Sequence, residues 1–424
     1  MSKKTENSSV RLHAHGHPNI KATHARTFEF VPETDLSASG TCIIGVAATG
    51  NREELLELRG EVRIELVCGD FRDIVHARVN PFYITSDPLI IRTNSQFQHR
   101  SLFVDADKGA AALDRDLVAA LRLPGAELEI LVNETGGDRC GALFVVGMPI
   151  GNVSDMSPRA IATLESADLI LAEDTRSAKN VLGSVRANIV SFHAHNEAQR
   201  TDMAMAALED GRRVALISEA GMPMLSDPGY PLLCAAIDAD IAIAPVPGPS
   251  SIGTALSIAG LPTNDFRFMG FLPTKAGARE RTLKKLREAE HTTVVFEAPH
   301  RLKETLHHIA QLLANRRLAV CRNLTKPGES VLRGTAQEML DEVATWPTVS
   351  GEYTIVIAPG EPVQEIDLPD DLARMATSLL ADGVSTKTIA NALSAASGAK
   401  PRDMFQAVLA IKHALEDSDG SAGT

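Results

Sequence analysis

The stretch that most constrains this 424-residue chain is 214–230, which reads VALISEAGMPMLSDPGY. Its first four residues form an apolar run of strand length, and the glycines and prolines after them leave little room for regular structure. We therefore predict a buried strand that opens into a rigid loop. Two further apolar runs, 143–147 and 241–244, end in similar loops, MPIGN and PVPGPS. Because ligands of open α/β sheets bind beyond the carboxyl ends of the strands, three such loops indicate one shared site. A set of ordinary strand-to-helix connections is the alternative.

Charge and cysteine content narrow the class of protein. A net charge of -12 argues against coating nucleic acid through bulk charge, although a local basic patch can still contact phosphates. The five cysteines are scattered and contain no C-x-x-C pair, which disfavours a disulfide framework and a zinc site. No apolar run approaches the roughly 20 residues that span a bilayer, and the first residues lack the apolar core of a signal peptide. We expect a cytoplasmic protein that does not associate with membranes.

The amino-terminal third divides into a tail and a domain. Residues 1–24 are polar and are predicted to be flexible, so their closely spaced histidines lack the rigid frame that a metal site needs. Residues 25–135 show mainly strand-like runs with two helical stretches, which predicts an α+β domain. Through HPNIKATHARTFEF and CIIGV this part resembles an uncharacterised, mainly archaeal domain family. A polar site there is conceivable, but we favour ordinary surface and core polar groups; the residues concerned are His24, Arg26, Arg92, Asn94, Ser95 and Lys108.

From residue 141 the pattern changes to strands that alternate with helices, which predicts wound α/β structure. We expect a first α/β lobe at 141–250 and a second at 251–360. Residues 370–415 are predicted to form a module of three helices.

Several motifs now combine into a family resemblance. LFVVGMPIGNVSDMSPRAIATLESADLILAEDTR is followed in order by HNE, SEAGMPMLSDPGYPL, VPGPSS, ALSIAGLPTNDFRFMGFLP, APHRL, LTK and GEY. This series resembles the ribosomal RNA small subunit methyltransferase I family, which belongs to the tetrapyrrole methylase superfamily of S-adenosylmethionine (SAM) enzymes. The resemblance implies a two-lobed α/β core with SAM in the cleft, a homodimer and no metal. It also implies 2′-O-methylation of a decoding-centre cytidine in 16S ribosomal RNA, with the small ribosomal subunit as partner.

The resemblance also implies the residues that hold SAM. They are Met148, Pro149, Ile150, Ser218, Glu219, Ala220, Gly221, Ser226, Asp227, Pro228, Pro247, Gly248, Pro249 and Ser250, with Ala255, Phe271 and Leu272 on the adenine side. The chain departs from the usual family pattern at Met148, where threonine is common, and at Glu219 and Met222, in a segment that usually reads Asp-Ala-Gly-Thr-Pro. It also has Asn323 where the family commonly has glutamate. That last departure bears most on whether full activity is retained.

Candidate catalytic groups follow the second predicted strand of the first lobe. A ribose hydroxyl is a weak nucleophile near neutral pH, so methyl transfer needs alignment and a base to take the proton. Asp174 is our first candidate base and Glu173 the second, while Arg176 and His300 are candidates for holding phosphate and positioning the sugar. The alternative is a helix-start cluster that makes caps and surface ion pairs.

A basic run in the second lobe is the candidate RNA surface. Such cations would contact phosphates and position RNA without reading its sequence; a solvated helix face is the alternative. The predicted RNA-binding residues are Lys275, Arg279, Arg281, Lys284, Lys285 and Arg287, together with Arg301 and Lys326.

Two other functions stay open from the sequence. One is methylation of a tetrapyrrole or another small molecule, which the basic run and the helical tail disfavour. The other is a catalytically lapsed RNA-binding or ribosome-assembly protein, suggested by Asn323, Glu219 and the added amino-terminal domain.

Overall fold

The structure is a computed structural model that describes residues 9–83, 88–94, 101–137, 141–183, 187–360 and 368–401, with 404–405, 407–409 and 411–412. Within these ranges, no helix combines the length and the apolar character that crossing a membrane requires.

The amino-terminal part is a closed β-barrel. In the described residues its strands are β1 (Ser9–His15), β2 (Thr27–Phe30), β3 (Ile43–Gly50), β4 (Glu61–Cys68), β5 (Phe71–Val79), β6 (Leu89–Arg92), β7 (Ser101–Val104) and β8 (Glu127–Gly136), ordered β1-β3-β2-β6-β7-β5-β4-β8. The short helices α1 (Arg52–Glu57) and α2 (Arg115–Ala120) accompany the strands, in keeping with the predicted α+β character. Inward-facing side chains fill the barrel with one apolar core.

The predicted flexibility of residues 1–24 is wrong from Ser9 onward. Strand β1 pairs antiparallel with both β3 and β8, and its side chains alternate between exposed and buried. Polar residues, including His13 and His15, occupy the outward positions, while Val10, Leu12 and Ala14 point inward. The strand was missed because its outward positions are polar, which made the alternating segment resemble a polar tail.

The first lobe contains a parallel sheet, as predicted. Its strands in the described residues are β9 (Ala142–Val146), β10 (Leu169–Ala172), β11 (Asn188–Ser191), β12 (Arg213–Ile217) and β13 (Ala242–Val246), ordered β11-β10-β12-β9-β13. The helices α3 (Pro158–Glu165), α4 (Thr175–Leu182), α5 (Glu197–Glu209) and α6 (Tyr230–Asp238) connect them. Because every pair is parallel, the carboxyl ends of all these strands lie at one edge of the sheet.

Helix α7 (Ser251–Ala259) leads into the second lobe, whose sheet is mixed. Its described strands are β14 (Phe266–Phe271), β15 (Thr292–Glu297), β16 (Arg317–Arg322), β17 (Ser330–Thr335) and β18 (Tyr353–Ile357), ordered β14-β15-β18-β16-β17. Helices α8 (Ala276–Lys285), α9 (Leu302–Leu313) and α10 (Ala336–Ala344) pack on this sheet. The sequence did not predict β17, a short edge strand that pairs antiparallel with β16.

Helices α11 (Asp370–Ala381) and α12 (Thr386–Ser397) match the first two helices predicted for the tail. They share a small apolar core with described residues between 399 and 411. Half of the third predicted helix, at 402–415, lies outside the described residues.

The barrel contacts the first lobe at the edge of the sheet away from the strand-exit loops. Arg59 Nη2 donates to both carboxylate oxygens of Asp168, at 3.0 and 2.8 Å, just before β10 begins. The phenyl rings of Phe82 and Phe144 meet edge to face at 5.6 Å. Arg213, at the start of β12, is buried at the same junction, and burial lowers its pKa to about 10. The barrel is therefore fixed to the lobe but stands opposite the predicted site.

Candidate functional site

The three strand-exit loops of the first lobe come together as the sequence predicted. Met148 and Gly221 form an antiparallel bridge, in which the Met148 N–H donates to the Gly221 carbonyl at 2.8 Å and the reverse bond measures 3.1 Å. The loop after β9 also touches the loop after β13, because a Cβ on Gly248 would lie 2.7 Å from the backbone of Gly147. These contacts join the loops backbone to backbone and leave no space for a side chain between them.

A second set of bonds fixes the long loop after β12. Gly221 adopts a left-handed backbone with φ of +78°, which only glycine enters freely. The Ser218 hydroxyl donates to the Gly221 carbonyl at 3.1 Å, and Glu197 at the start of α5 accepts from the Gly229 N–H at 2.7 Å. The glutamate of the HNE motif therefore anchors the far end of this loop.

The loops open into a cavity of about 740 Å³ between the two lobes. This volume suits a nucleoside-sized ligand with part of an acceptor. Its lining takes in the predicted residues Pro149, Ile150, Glu173, Glu219, Ala220, Gly221, Ser226, Asp227, Ser250, Phe271 and Lys326. The other predicted cofactor residues do not line the cavity, namely Met148, Ser218, Pro228, Pro247, Gly248, Pro249, Ala255 and Leu272.

Three carboxylates share one side of the cavity. Burial and the neighbouring Glu219 raise the pKa of Glu173, and His193 opposes that rise. Burial raises the pKa of Asp227 to about 6, and the Glu173 charge adds to this rise. Burial therefore raises the pKa of two of these carboxyl groups, and a carboxyl with a pKa of about 6, as at Asp227, can exchange a proton with a substrate near neutral pH.

Asp174 lies outside the cavity that Glu173 lines. It is exposed and is the N-cap of α4, where its Oδ1 accepts from the Arg176 N–H at 2.7 Å. It does not line the cavity, and neither do Arg176 and His300, whose side chains are exposed. Asp174 therefore caps a helix, which was the alternative interpretation of this cluster. Glu173 lines the cavity and is the better placed candidate base.

Asn323, where the family commonly has glutamate, contacts the loop that carries GEY. Its Oδ1 accepts from the Glu352 N–H at 3.0 Å, and its own N–H donates to the Glu352 carbonyl at 3.0 Å. Gly351 at φ +101° leaves room for this amide, since a Cβ there would lie 2.2 Å from Oδ1. An amide oxygen accepts this hydrogen bond as a carboxylate would, and Asn323 itself does not line the cavity.

Two predicted phosphate ligands are engaged inside the protein instead. Arg279 is completely buried and donates to His308 Nδ1 at 3.1 Å, and it forms an ion pair with Glu304. Arg301 donates to the Leu272 carbonyl at 2.6 Å and pairs with Glu297 at 3.2 Å. The prediction that they bind RNA is wrong, because both guanidiniums hold α9 and the 272–274 loop together.

The remaining cations of the basic run stay at the surface. Lys275, Arg281, Lys284, Lys285 and Arg287 are exposed on and around α8, which begins just after the cavity residue Phe271. Lys284 pairs with Glu280 at 2.9 Å, and Lys326 at the cavity wall pairs with Glu352. An exposed basic patch therefore lies on and around α8, a few residues along the chain from the cavity residue Phe271.

Sequence reasoning missed some of the cavity wall. Ser177 and Asn180 line the cavity from α4, the helix that follows Glu173. They are three residues apart and so lie on the same face of the helix, and this spacing could have identified them from the sequence. Glu297, directly before the quoted APHRL motif, also lines it, buried and hydrogen-bonded to Thr305. The 351–354 segment completes this wall and carries the GEY motif, to which we had assigned no role.

Comparison with known proteins identifies the class. Residues 142–340 match the family model of Tetrapyrrole (Corrin/Porphyrin) Methylases, and residues 12–135 match a Domain of unknown function (DUF371). The core is thus that of a tetrapyrrole-methylase-type enzyme, with SAM as its cofactor, joined to a barrel of the second family. Gly221 fits such a cofactor, because it lines the cavity without a side chain and so lets the backbone approach a ligand closely.

Curated relatives define the family further. The ribosomal RNA small subunit methyltransferase I of Halalkalibacterium halodurans is 42% identical over 52% of this chain and 76% of its own length. The protein of the same name from Mesorhizobium japonicum is 38% identical over 66% of this chain and 95% of its own length, and that of Synechocystis is 38% identical over 64% and 99%. The chain therefore belongs to the ribosomal RNA small subunit methyltransferase I family.

Proposed function

We propose that this protein transfers a methyl group from SAM to the ribose 2′-hydroxyl of a decoding-centre cytidine in 16S ribosomal RNA. The observation that carries the proposal is the cavity itself, where rigid backbone loops and the Glu173, Glu219 and Asp227 carboxylates meet beside exposed cations. Family membership supports an RNA acceptor in the small ribosomal subunit and a cytoplasmic location.

The proposed mechanism assigns the cofactor to the strand-exit loops. Backbone groups near Pro149, Gly221 and Ser250 would hold its adenine and methionine parts, and Glu219 or Asp227 would accept hydrogen bonds from its hydroxyl or ammonium groups. When bound, SAM supplies an electrophilic methyl group, whose bond to sulfur breaks as its bond to the ribose oxygen forms.

Glu173 is the proposed general base. It would accept the proton of the 2′-hydroxyl as the oxygen reacts, and release that proton to water after the product leaves. A raised pKa suits this role, because a base is most effective when its pKa lies near the working pH. Ser177 and Asn180, on the same wall, would align the sugar by hydrogen bonds.

The proposed RNA surface is the exposed basic patch formed by Lys275, Arg281, Lys284, Lys285 and Arg287. Each phosphate contact that displaces a counterion makes binding weaker as salt increases. Binding of small-subunit RNA should therefore have a steep salt dependence that becomes shallower when these five side chains are neutralised.

The proposed assembly is a homodimer. Exposed large apolar side chains occur close to the edge strands β13 and β14: Tyr230 and Ile237 lie on α6, which packs against β13, Phe266 and Phe271 lie on β14, and Leu225 lies in the loop before α6. Exposed apolar groups gathered in this way are typical of a subunit interface. Leu225 and Phe271 also line the cavity, so a second copy would cover its rim.

A direct test compares acceptors. Labelled methyl from SAM should be transferred to small ribosomal subunits that lack the modification, and not to a tetrapyrrole such as uroporphyrinogen. Transfer to the tetrapyrrole alone would favour the small-molecule alternative. SAM binding without transfer to either acceptor would contradict the proposed reaction.

A further inference from the structure

His193 lies beside the proposed base and has no role in the function described so far. It follows β11, and Glu173 follows the adjacent parallel strand β10, with Ala172 and Ser191 in register. The Phe192 N–H donates to the Ala172 carbonyl at 2.8 Å, which continues the strand pairing up to the two side chains. The two exits are therefore fixed relative to each other by the backbone.

Asn196 determines the tautomer of the His193 ring, that is, which ring nitrogen carries the proton. The Asn196 Oδ1 accepts from the backbone N–H of His193 at 2.8 Å, and the Asn196 Nδ2 donates to the Ser191 carbonyl at 3.1 Å. These two bonds settle which end of the amide is oxygen and which is nitrogen. The same Nδ2 lies 3.3 Å from Ser191 Oγ and 3.2 Å from His193 Nε2. Because an amide nitrogen only donates, a hydrogen bond between Nδ2 and the ring makes Nε2 the acceptor.

The proton of the neutral ring consequently sits on Nδ1. That nitrogen is buried, and among the described residues it has no hydrogen-bond partner. A buried donor left unpaired costs about 1–3 kcal/mol, which makes a nearby acceptor favourable. Glu173 makes no hydrogen bond to Nδ1 here, but it lies at the adjacent strand exit and is the carboxylate whose pKa the charge of His193 lowers.

We propose that His193 is a positioning residue for Glu173: Asn196 holds its ring so that the Nδ1 proton is presented to the Glu173 carboxylate. This inference rests on the proposed function, because it takes Glu173 as the base. A donor at one carboxylate oxygen would fix the orientation of Glu173 and leave the other oxygen for the ribose hydroxyl. It would also keep the carboxylate ionised beside the negative charges of Glu219 and Asp227.

The activity test uses His193→Phe, which keeps a ring but removes the donor, with His195→Phe as the matched control. His195 is exposed on the same loop, and its ring lies 6.0 Å from that of His193. In His193→Phe the acid limb of the kcat/KM profile should move to higher pH, and activity at pH 7 should fall about tenfold. SAM affinity should be unchanged, because His193 does not line the cavity. His193→Gln, which restores an N–H donor, should recover part of the loss.

An acid limb in His193→Phe that matches the unmodified enzyme would overturn the proposal. A second readout does not depend on RNA methylation. In unmodified protein labelled with ¹⁵N-histidine, His193, assigned by comparison with His193→Gln, should be protonated at Nδ1 and not at Nε2. The opposite tautomer would refute the positioning role even if methylation proceeds. The predicted tautomer in a protein that fails to methylate RNA would leave the ring geometry correct and the proposed reaction wrong.

Discussion

Glu173 and Asp174 are adjacent in the sequence but differ in their contacts. Asp174 uses its carboxylate to cap α4, whereas Glu173 lines the cavity beside two other acids. Asparagine caps helices about as well as aspartate. Asp174→Asn should therefore change turnover less than threefold.

Glu173→Gln should reduce turnover about 100-fold or more at pH 7.5, because it removes the group that accepts the proton. SAM affinity, measured by calorimetry, should change little in either variant, which separates catalysis from cofactor binding. Full turnover in Glu173→Gln, or its loss in Asp174→Asn alone, would return the role of base to Asp174.

Asp227 should make stability depend on pH. Its folded pKa of about 6 lies above the ordinary value of 3.8, so the folded chain binds the proton more tightly than the unfolded chain. Its contribution to stability is therefore largest below pH 4 and is lost as pH rises towards 6. After a discount for partial solvent exposure, Asp227→Asn should stabilise the protein by about 1 kcal/mol at pH 7.5 and by nearly nothing at pH 4. Thermal unfolding at both pH values checks this, with Asp174→Asn as the control; equal destabilisation at both would contradict it.

At the scale of elements, the site depends on loops that touch through their backbones. A Cβ on Gly248 would lie 2.7 Å from Gly147 backbone atoms that cannot swing aside. Gly248→Ala should push the loops after β9 and β13 apart and weaken SAM binding at least tenfold.

Gly253 offers the matched control for that variant. It lies inside α7, where an added Cβ would meet nothing closer than 4.0 Å. Gly253→Ala should preserve SAM affinity and raise stability by up to about 1 kcal/mol, because alanine favours the helix. Calorimetric titration with SAM distinguishes the two variants; equal affinity in both would show that the loop contact is not needed.

Local patterns predicted the elements that position the site, and long-range contacts account for the misses. Strands β9 and β10, and β12 after Arg213, are continuous apolar runs, which are typical of a buried parallel sheet. Arg279 was read as a surface cation because its partners, Glu304 and His308, come from another helix. Its spacing of four from the buried Leu283 placed it on the inner face of α8, but only the packing of α9 makes that burial tolerable.

At the scale of the whole molecule, the barrel and the cavity lie at opposite edges of the first sheet. The described residues that line the cavity all fall between 149 and 354, after the end of the barrel. The barrel is therefore not a lid, and its contact through Arg59 and Asp168 leaves the mouth of the cavity and the basic patch open.

The proposed homodimer gives a second whole-molecule prediction. Ile237, one of the exposed apolar residues proposed for the dimer interface, lies on α6 and is 59% exposed. Leu123 lies in the barrel domain and is 61% exposed. Ile237→Glu should convert the dimer to a monomer in light scattering, because it places a charge in the interface. Leu123→Glu should leave the mass unchanged. A monomeric unmodified protein, or a dimer that resists Ile237→Glu, would contradict this interface.

The position of the transferred methyl group on the RNA distinguishes the proposed ribose methylation from the other reactions. Small subunits lacking the modification would be incubated with the protein and isotopically labelled SAM, and their 16S RNA digested for nucleoside mass spectrometry and fragment mapping. One labelled cytidine is expected in the decoding centre, with the label on its ribose and absent from the Glu173→Gln reaction. Label on a base, or spread over many nucleotides, would contradict it.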